Sequence, residues 1–325
     1  MTVAPPHGRI HGSEAREATN RTARDRQPFT RPFYRTMSPK RLSIIGVGLL
    51  GGSIGLAVKS AAIGCRVVGY GHRRSTLDKA LASGAIDEAA ATPADAVSGA
   101  DLVILCTPVG LFRQNLTDIA PALAKGAIVT DVGSTKRAVV EAAREILPEH
   151  VHFVGSHPMA GSEKRGVEFA RADLFRGARC ILTAGPSTDA DALEAVDRFW
   201  QALGISTTML SPEDHDRLVC EISHLPHALA ASLVTMQVDA ALPLAGKGFL
   251  DATRIAGGDG ALWRDIFLDN RDNLAAAIKD FRGTLDEFLK LLDPARADDL
   301  AKWLDAAAAR RAALLAEKLK EMNPD

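Results

Sequence analysis

Between residues 41 and 210, short apolar runs alternate with helix-length, alanine-rich segments, and this alternation admits few folds. The runs are "RLSIIGV", "CRVVGYG", "DLVILCT", "GAIVTDV", "VHFVGS" and "ARCILTA". Each is apolar throughout rather than on one face, as expected of strands covered on both sides. Residues 53–62, 73–83 and 135–146 read as helices between them. Strands and helices alternating at this spacing predict an α/β fold with a doubly wound, mostly parallel Rossmann-like sheet.

The pattern changes near residue 211. "SPEDHDRLVCEISHLPHALAASLVTM" opens as a helix, with a serine cap, proline at the first helical position and Asp214 three residues after the cap. Beyond it nothing reads as a strand, and two long helical stretches are separated at Pro294. The expected division is a sheet domain over 41–210 and an all-helical domain over 211–325. The helical part has more apolar positions than one thin layer buries, which suits a homodimer interface.

Residues 1–40 differ from everything after them. They are arginine-rich, poor in aliphatic residues and without periodicity, so a disordered basic tail is expected. Met37 would make a sensible start for the folded part, so an over-extended start is an open reading. The net charge of −1 and the lack of a sustained basic stripe argue against nucleic acid as main partner. The four cysteines lie far apart with no ligand spacing, so they read as reduced thiols of a cytoplasmic protein without a metal site. No apolar segment approaches the roughly 20 residues needed to span a bilayer, so no membrane partner is expected.

"IIGVGLLGGSIGLAV" carries Gly46, Gly48 and Gly51 in G-x-G-x-x-G spacing directly after a strand and at the start of a helix. In that context Gly46 makes the tight turn, Gly48 admits a pyrophosphate and Gly51 lets helix pack on strand. Leu49 and Leu50 lie between them, and Thr107 and Pro108 end the strand "DLVILCT" at the same edge. The expected cofactor is a nicotinamide dinucleotide, NAD or NADP. An NAD site usually has an acid at the end of the second strand. Here Gly71 stands in that place, followed by His72, Arg73, Arg74 and Ser75. Guanidinium and hydroxyl groups suit a 2′-phosphate, so the reading leans towards NADP.

Oxidation of an alcohol by such a cofactor needs a base near neutrality, and histidine fits best. "GSHPMAGSEKRG" sets His157 in a loop after a late strand, at the carboxyl edge where open α/β sheets bind ligands. "DVGSTK" presents Ser134 at that edge. His215, His224 and His227 fall on one predicted helix, with His224 and His227 on a shared face and Pro226 marking a kink. Asp251 and Arg254 sit in a glycine-flanked, exposed stretch, and Trp263 reads as core or as a pocket wall.

Five motifs taken together resemble one family: "GxGLLGGS", "DVGSTK", "GSHPMAGSEKRG", "HDRLVCEISHLPHALA" and "TRIAGGDGALWRDI", in order, over residues 41 to 310. The chain is similar to the prephenate and arogenate (cyclohexadienyl) dehydrogenases of tyrosine biosynthesis. The resemblance implies oxidative decarboxylation of prephenate to 4-hydroxyphenylpyruvate. It implies His157 as proton acceptor, Ser134 as a partner of the same substrate hydroxyl, and Arg254 as carboxylate binder. His227 would line the pocket, and Glu163 and Asp251 would take part in its ionic gating. His215 and His224 stay open between helix packing, support of a neighbour and direct function. Arogenate or dual specificity is an alternative. So are a β-hydroxyacid dehydrogenase or imine reductase, and a non-catalytic dinucleotide sensor.

Overall fold

The computed structural model describes residues 39–161 and 164–322. The basic tail, apart from residues 39 and 40, lies outside the described residues, and so does Glu163.

Eight strands form one sheet: β1 (Arg41–Ile45), β2 (Arg66–Tyr70), β3 (Glu88–Ala89), β4 (Leu102–Leu105), β5 (Ile128–Asp131), β6 (His152–Pro158), β7 (Arg179–Thr183) and β8 (Ser206–Leu210). Their order is 3-2-1-4-5-6-7-8, parallel throughout except that β6 meets β7 antiparallel. The order reverses between β1 and β4, which opens a crevice at the carboxyl ends of the strands.

Helices cover both faces: α1 (Leu49–Ser60), α2 (Arg74–Ala82), α3 (Pro93–Val97), α4 (Phe112–Ile119), α5 (Arg137–Ile146) and α6 (Ala190–Ala202). Alternation along each strand divides the core in two. Leu42, Ile44, Leu102 and Ile104 join one cluster with Ile54, Phe175 and Trp200. Ile45, Val103 and Leu105 point the other way, to Val68, Phe112 and Leu116. Apolar residues on both faces are what made these runs continuous in the sequence.

After β8 the chain is helical: α7 (Pro212–Val219), a π turn (Cys220–His224), α8 (Leu225–Thr235), α9 (Lys247–Thr253), α10 (Gly260–Asp269), α11 (Arg271–Leu291) and α12 (Ala297–Met322). The Ser211 hydroxyl caps α7 by accepting from the Asp214 amide at 3.0 Å.

The structure corrects several expectations. β3 and β8 were not foreseen, the first because it has two residues, the second because "STTML" is a half-exposed edge strand with no apolar run. His157 is not in a loop: β6 continues to Pro158 because β7 pairs with Gly155, Ser156, His157 and Pro158. The histidine helix is not simply kinked. Pro226 has no amide for the Ile222 carbonyl, and the helix widens into the π turn just before it. The first long C-terminal helix is broken at buried Asn270, whose side chain is used elsewhere.

One helical stretch, Pro212–Thr235, is long and apolar enough by length and composition to cross a membrane, its most apolar 18-residue window having a mean hydropathy of 1.2. The apolar-length expectation therefore fails for it. Its buried His215, Asp216 and His224 are hydrogen-bonded to residues packed against it, as in a core helix.

Candidate active site

The glycine turn has the shape that a dinucleotide requires. Gly46 has φ of +102°, and a Cβ there would lie 2.8 Å from the Cys106 carbonyl carbon. At Gly51 a Cβ would lie 2.3 Å from the Gly46 oxygen, so only glycine lets α1 sit this close to β1. At Gly48 a Cβ would meet nothing within 4 Å. That open side is where a ligand backbone can approach. Gly48 also begins α1 with no side-chain cap, so the partial positive charge of the helix end faces the opening. Leu49 and Leu50 form its first turn, and Thr107 and Pro108 follow β4 across the crevice, with Thr107 held by the Asn115 amide. These residues fit a pyrophosphate.

At the end of β2, Gly71 is not sterically required: a Cβ there would come no closer than 3.8 Å to any atom. Arg73 precedes α2 and is exposed, with no ion pair among the described residues. Arg74 pairs with Asp78 at 2.9 Å, and Ser75 is exposed beside it.

His157 lies three strands from the glycine turn, in the antiparallel part of β6, and is 9% exposed. Its Nδ1 is 2.9 Å from His215 Nε2, and His215 Nδ1 is 2.8 Å from Asp216 Oδ1. Asp216 also accepts the Lys136 amide at 2.7 Å and the Arg137 amide at 3.0 Å, across the junction between sheet and helices. Lys136 is itself buried and paired with Asp131, which accepts the Ser156 amide at 3.0 Å and the Gly133 amide at 2.8 Å. Ser134 sits between Gly133 and this lysine. It is half-buried, and its hydroxyl has no hydrogen bond among the described residues.

The electrostatics keep the imidazoles neutral. Burial pushes His157 well below its ordinary value, and His215, Lys136 and His224 add to the effect. Burial lowers His215 as well, against the pull of Asp216. Burial alone would raise Asp216, but the bonds from His215 and the amides of Arg137 and Lys136 prevail and hold it below the usual carboxylate range. A neutral imidazole with one engaged nitrogen can take a proton on the other.

The chain belongs to the prephenate dehydrogenase family. Residues 54–208 match the profile described as prephenate dehydrogenase, nucleotide-binding domain, and residues 211–306 match its dimerization domain. Prephenate dehydrogenase of Bacillus subtilis (strain 168) is 38% identical over 81% of this chain and 73% of its own length. Cyclohexadienyl dehydrogenase of Zymomonas mobilis is 34% identical over 87% of this chain and 93% of its own. Prephenate dehydrogenase from A. aeolicus in complex with hydroxyphenyl propionate and NAD+ superposes with a TM-score of 0.80 at 34% identity, covering 85% of this chain and 98% of that one. The family makes the chain an oxidoreductase that uses a nicotinamide dinucleotide.

A second group of aromatic and imidazole side chains stands on the helical half. His227 stacks on Trp263, with centroids 3.5 Å apart and planes 15° from parallel. Trp263 is therefore a partner of a candidate site residue rather than plain core. The turn carrying Arg254 (Arg254–Gly257) leads into Gly258, where a Cβ would lie 2.5 Å from Trp263 Nε1 and 2.8 Å from His227 Cε1. Arg254 and Asp251 are both exposed, and no ion pair joins them among the described residues. Arg165, just after the His157 segment, pairs with Asp259 at the start of α10, which ties two of the sequence motifs together. His224 is fully buried, its Nδ1 3.1 Å from the Asn270 amide, and burial lowers it to about 4.

Sequence reasoning missed Asp216, Lys136, Asp131 and Asn270. A signal existed for Asp216: it sits beside His215, one turn before Val219 and Cys220, so the apolar face of α7 carries a charge.

Proposed function

We propose that the chain catalyses the oxidative decarboxylation of prephenate to 4-hydroxyphenylpyruvate. The single observation that carries this reading is His157: a buried, neutral imidazole at the sheet edge, with one nitrogen held by His215 and the other left unpaired among the described residues. When bound, the dinucleotide supplies the hydride acceptor. His157 takes the proton of the ring hydroxyl as the C–H bond breaks and carbon dioxide leaves, and the aromatic product drives the step. Ser134, with its free hydroxyl, hydrogen-bonds the same oxygen. Arg254 holds a substrate carboxylate, for which a planar guanidinium is well shaped. The His227–Trp263 stack walls the pocket, and Asp251 takes part in its ionic gating, a role that the family likeness also implies for Glu163. The protein mainly positions and polarises.

The dinucleotide preferred is NADP. The reading rests on Gly71 in place of an acid and on the unpaired Arg73. The functional unit is a homodimer through the helical half, a reading supported by the description of the family's second profile and by the exposed leucines there.

A second reading is arogenate or dual specificity. It is favoured by the likeness to the Zymomonas mobilis cyclohexadienyl dehydrogenase and to the Synechocystis arogenate dehydrogenase, the latter at TM-score 0.74 and 30% identity. Steady-state kinetics with both substrates and both cofactors tests all of this in four combinations. The expected result is turnover of prephenate, faster with NADP. Dinucleotide binding with no turnover of either substrate would leave a non-catalytic sensor instead.

A further inference from the structure

The buried chain behind His157 has a direction. Asp216 is held as a carboxylate by two backbone amides, so it can only accept. His215 Nδ1 must then carry the hydrogen that lies between them. His215 is neutral in this interior, so its Nε2 has no hydrogen and accepts. The hydrogen between the two rings therefore belongs to His157 Nδ1. His157 Nε2 is left with its lone pair. It has no partner among the described residues and is not one of the sealed, unsatisfied atoms of the interior.

We propose that Asp216 and His215 are positioning residues that fix His157 as the Nδ1–H tautomer, leaving Nε2 as the proton acceptor. An isolated imidazole offers either nitrogen. Here the other tautomer would set a lone pair of His215 against the Asp216 carboxylate and forfeit a charge-assisted hydrogen bond, the strong kind. The device also joins the two halves. The carboxylate sits on α7, the amides that hold it belong to the start of α5, and the base is on β6. Docking of helix on sheet thus sets the tautomer of the base. The charged and titratable groups around His157 are His215 and Asp216 on α7, Lys136 with its partner Asp131 at the end of β5, and His224 on the π turn.

The proposal rests on His157 as base, and the tests separate the two. In the full-length protein with nitrogen-15-labelled histidine at pH 7.5, the His157 ring, assigned by its loss in His157→Asn, is expected to show the hydrogen on Nδ1. A hydrogen on Nε2, or a doubly protonated ring, overturns the proposal whatever the substrate proves to be. In kinetics, Asp216→Asn is expected to lower kcat with prephenate by about 10²–10⁴-fold near neutrality, with KM and the dinucleotide Kd within about threefold of wild type. His215→Gln, whose carbonyl can still accept from His157 Nδ1, is expected to keep at least tenfold more kcat than His215→Leu, in the manner of a replaced hydrogen-bond partner. Equal losses in the Gln and Leu variants, or a loss of kcat matched by loss of dinucleotide affinity, assign these residues a merely structural role. Should Asp216→Asn fail to fold, the ring spectrum of the wild type still decides. A wild type that turns over neither substrate refutes the proposed function and leaves the tautomer measurement standing.

Discussion

In the sheet half the apolar residues of β1, β4 and β5 are fully buried, whereas in the helical half Leu244 is 85% exposed, Met236 73%, Leu268 65% and Leu289 62%. Both halves are rich in apolar residues, so the difference is one of closure. A parallel sheet with helices on each face seals its own core. Helices laid side by side seal only the faces they share, and α12 is exposed along nearly all its length. One half is a finished nucleotide-binding unit, and the other presents a face that the proposed dimer covers. The candidate site stands where they meet. The sheet contributes the proposed base and the glycine turn, and the helices contribute the groups proposed to orient and wall it.

The largest effect follows from that division. His157→Asn removes the proposed base and leaves the glycine turn untouched. Turnover is expected to fall by a factor on the order of 10²–10⁴, about 3–5 kcal/mol in barrier. The dinucleotide Kd, read by fluorescence titration, should stay within about threefold. If affinity falls as far as turnover does, the two functions are not divided between strands as described.

A pair of substitutions sharpens the contrast in closure. Ile104→Ala in β4 empties part of a sealed core and is expected to cost about 2–5 kcal/mol in urea unfolding. Leu244→Asp touches no sealed core. On a bare surface it would cost within about 0.5 kcal/mol and leave the mass in solution unchanged. At a dimer face it instead shifts the sedimenting species from twice 34.5 kDa towards one copy. An unchanged dimer would show that the contact lies elsewhere.

The same contrast governs what could be read from sequence. The central strands were legible because burial on both faces leaves an unbroken apolar run, and β8 was not because an edge strand needs no such run. The glycine turn was legible because its steric demands are local: Gly46 and Gly51 are forced by atoms that any chain of this pattern would bring close. His157 was legible as a residue, through the motif around it. Its partner was not, since His215 is 58 residues away and the bond exists only once α7 docks. Asn270 was hidden for a similar reason. It ends α10 in a sequence of good helix formers, and its side chain reaches the Asp216 carbonyl and His224.

Acid should unfasten the junction first. His157, His215, His224 and His227 all have folded values below the ordinary 6.5, each with burial as the first cause. Below pH 6.5 the unfolded chain then binds more protons than the folded one, so stability is full above 6.5 and falls as pH drops towards the folded values. For His224 the window runs from 6.5 to about 4, a loss on the order of 3 kcal/mol across it. Three of the four histidines are on the helical half. Urea midpoints at pH 7.5, 6 and 4.5 should fall steadily in wild type and less in His224→Gln. A flat profile would mean that these rings are hydrated.

The smallest effect concerns the rim of the finished half. Arg74 is tied to Asp78 in an exposed pair on α2, which contributes little and leaves Arg73 as the freer cation. A 2′-phosphate meeting Arg73 gains a charge-assisted bond that a 2′-hydroxyl cannot match. Arg73→Ala is therefore expected to raise KM for NADP by roughly tenfold, about 1.4 kcal/mol, and that for NAD by less than about threefold. Gly71→Asp is the complementary change, since the position has room for a side chain. Its carboxylate should repel the phosphate and accept from the ribose hydroxyls, turning preference towards NAD. If Arg73→Ala weakens both cofactors equally, the arginine acts on the pyrophosphate or on the loop itself, and the missing acid at Gly71 says nothing about cofactor choice.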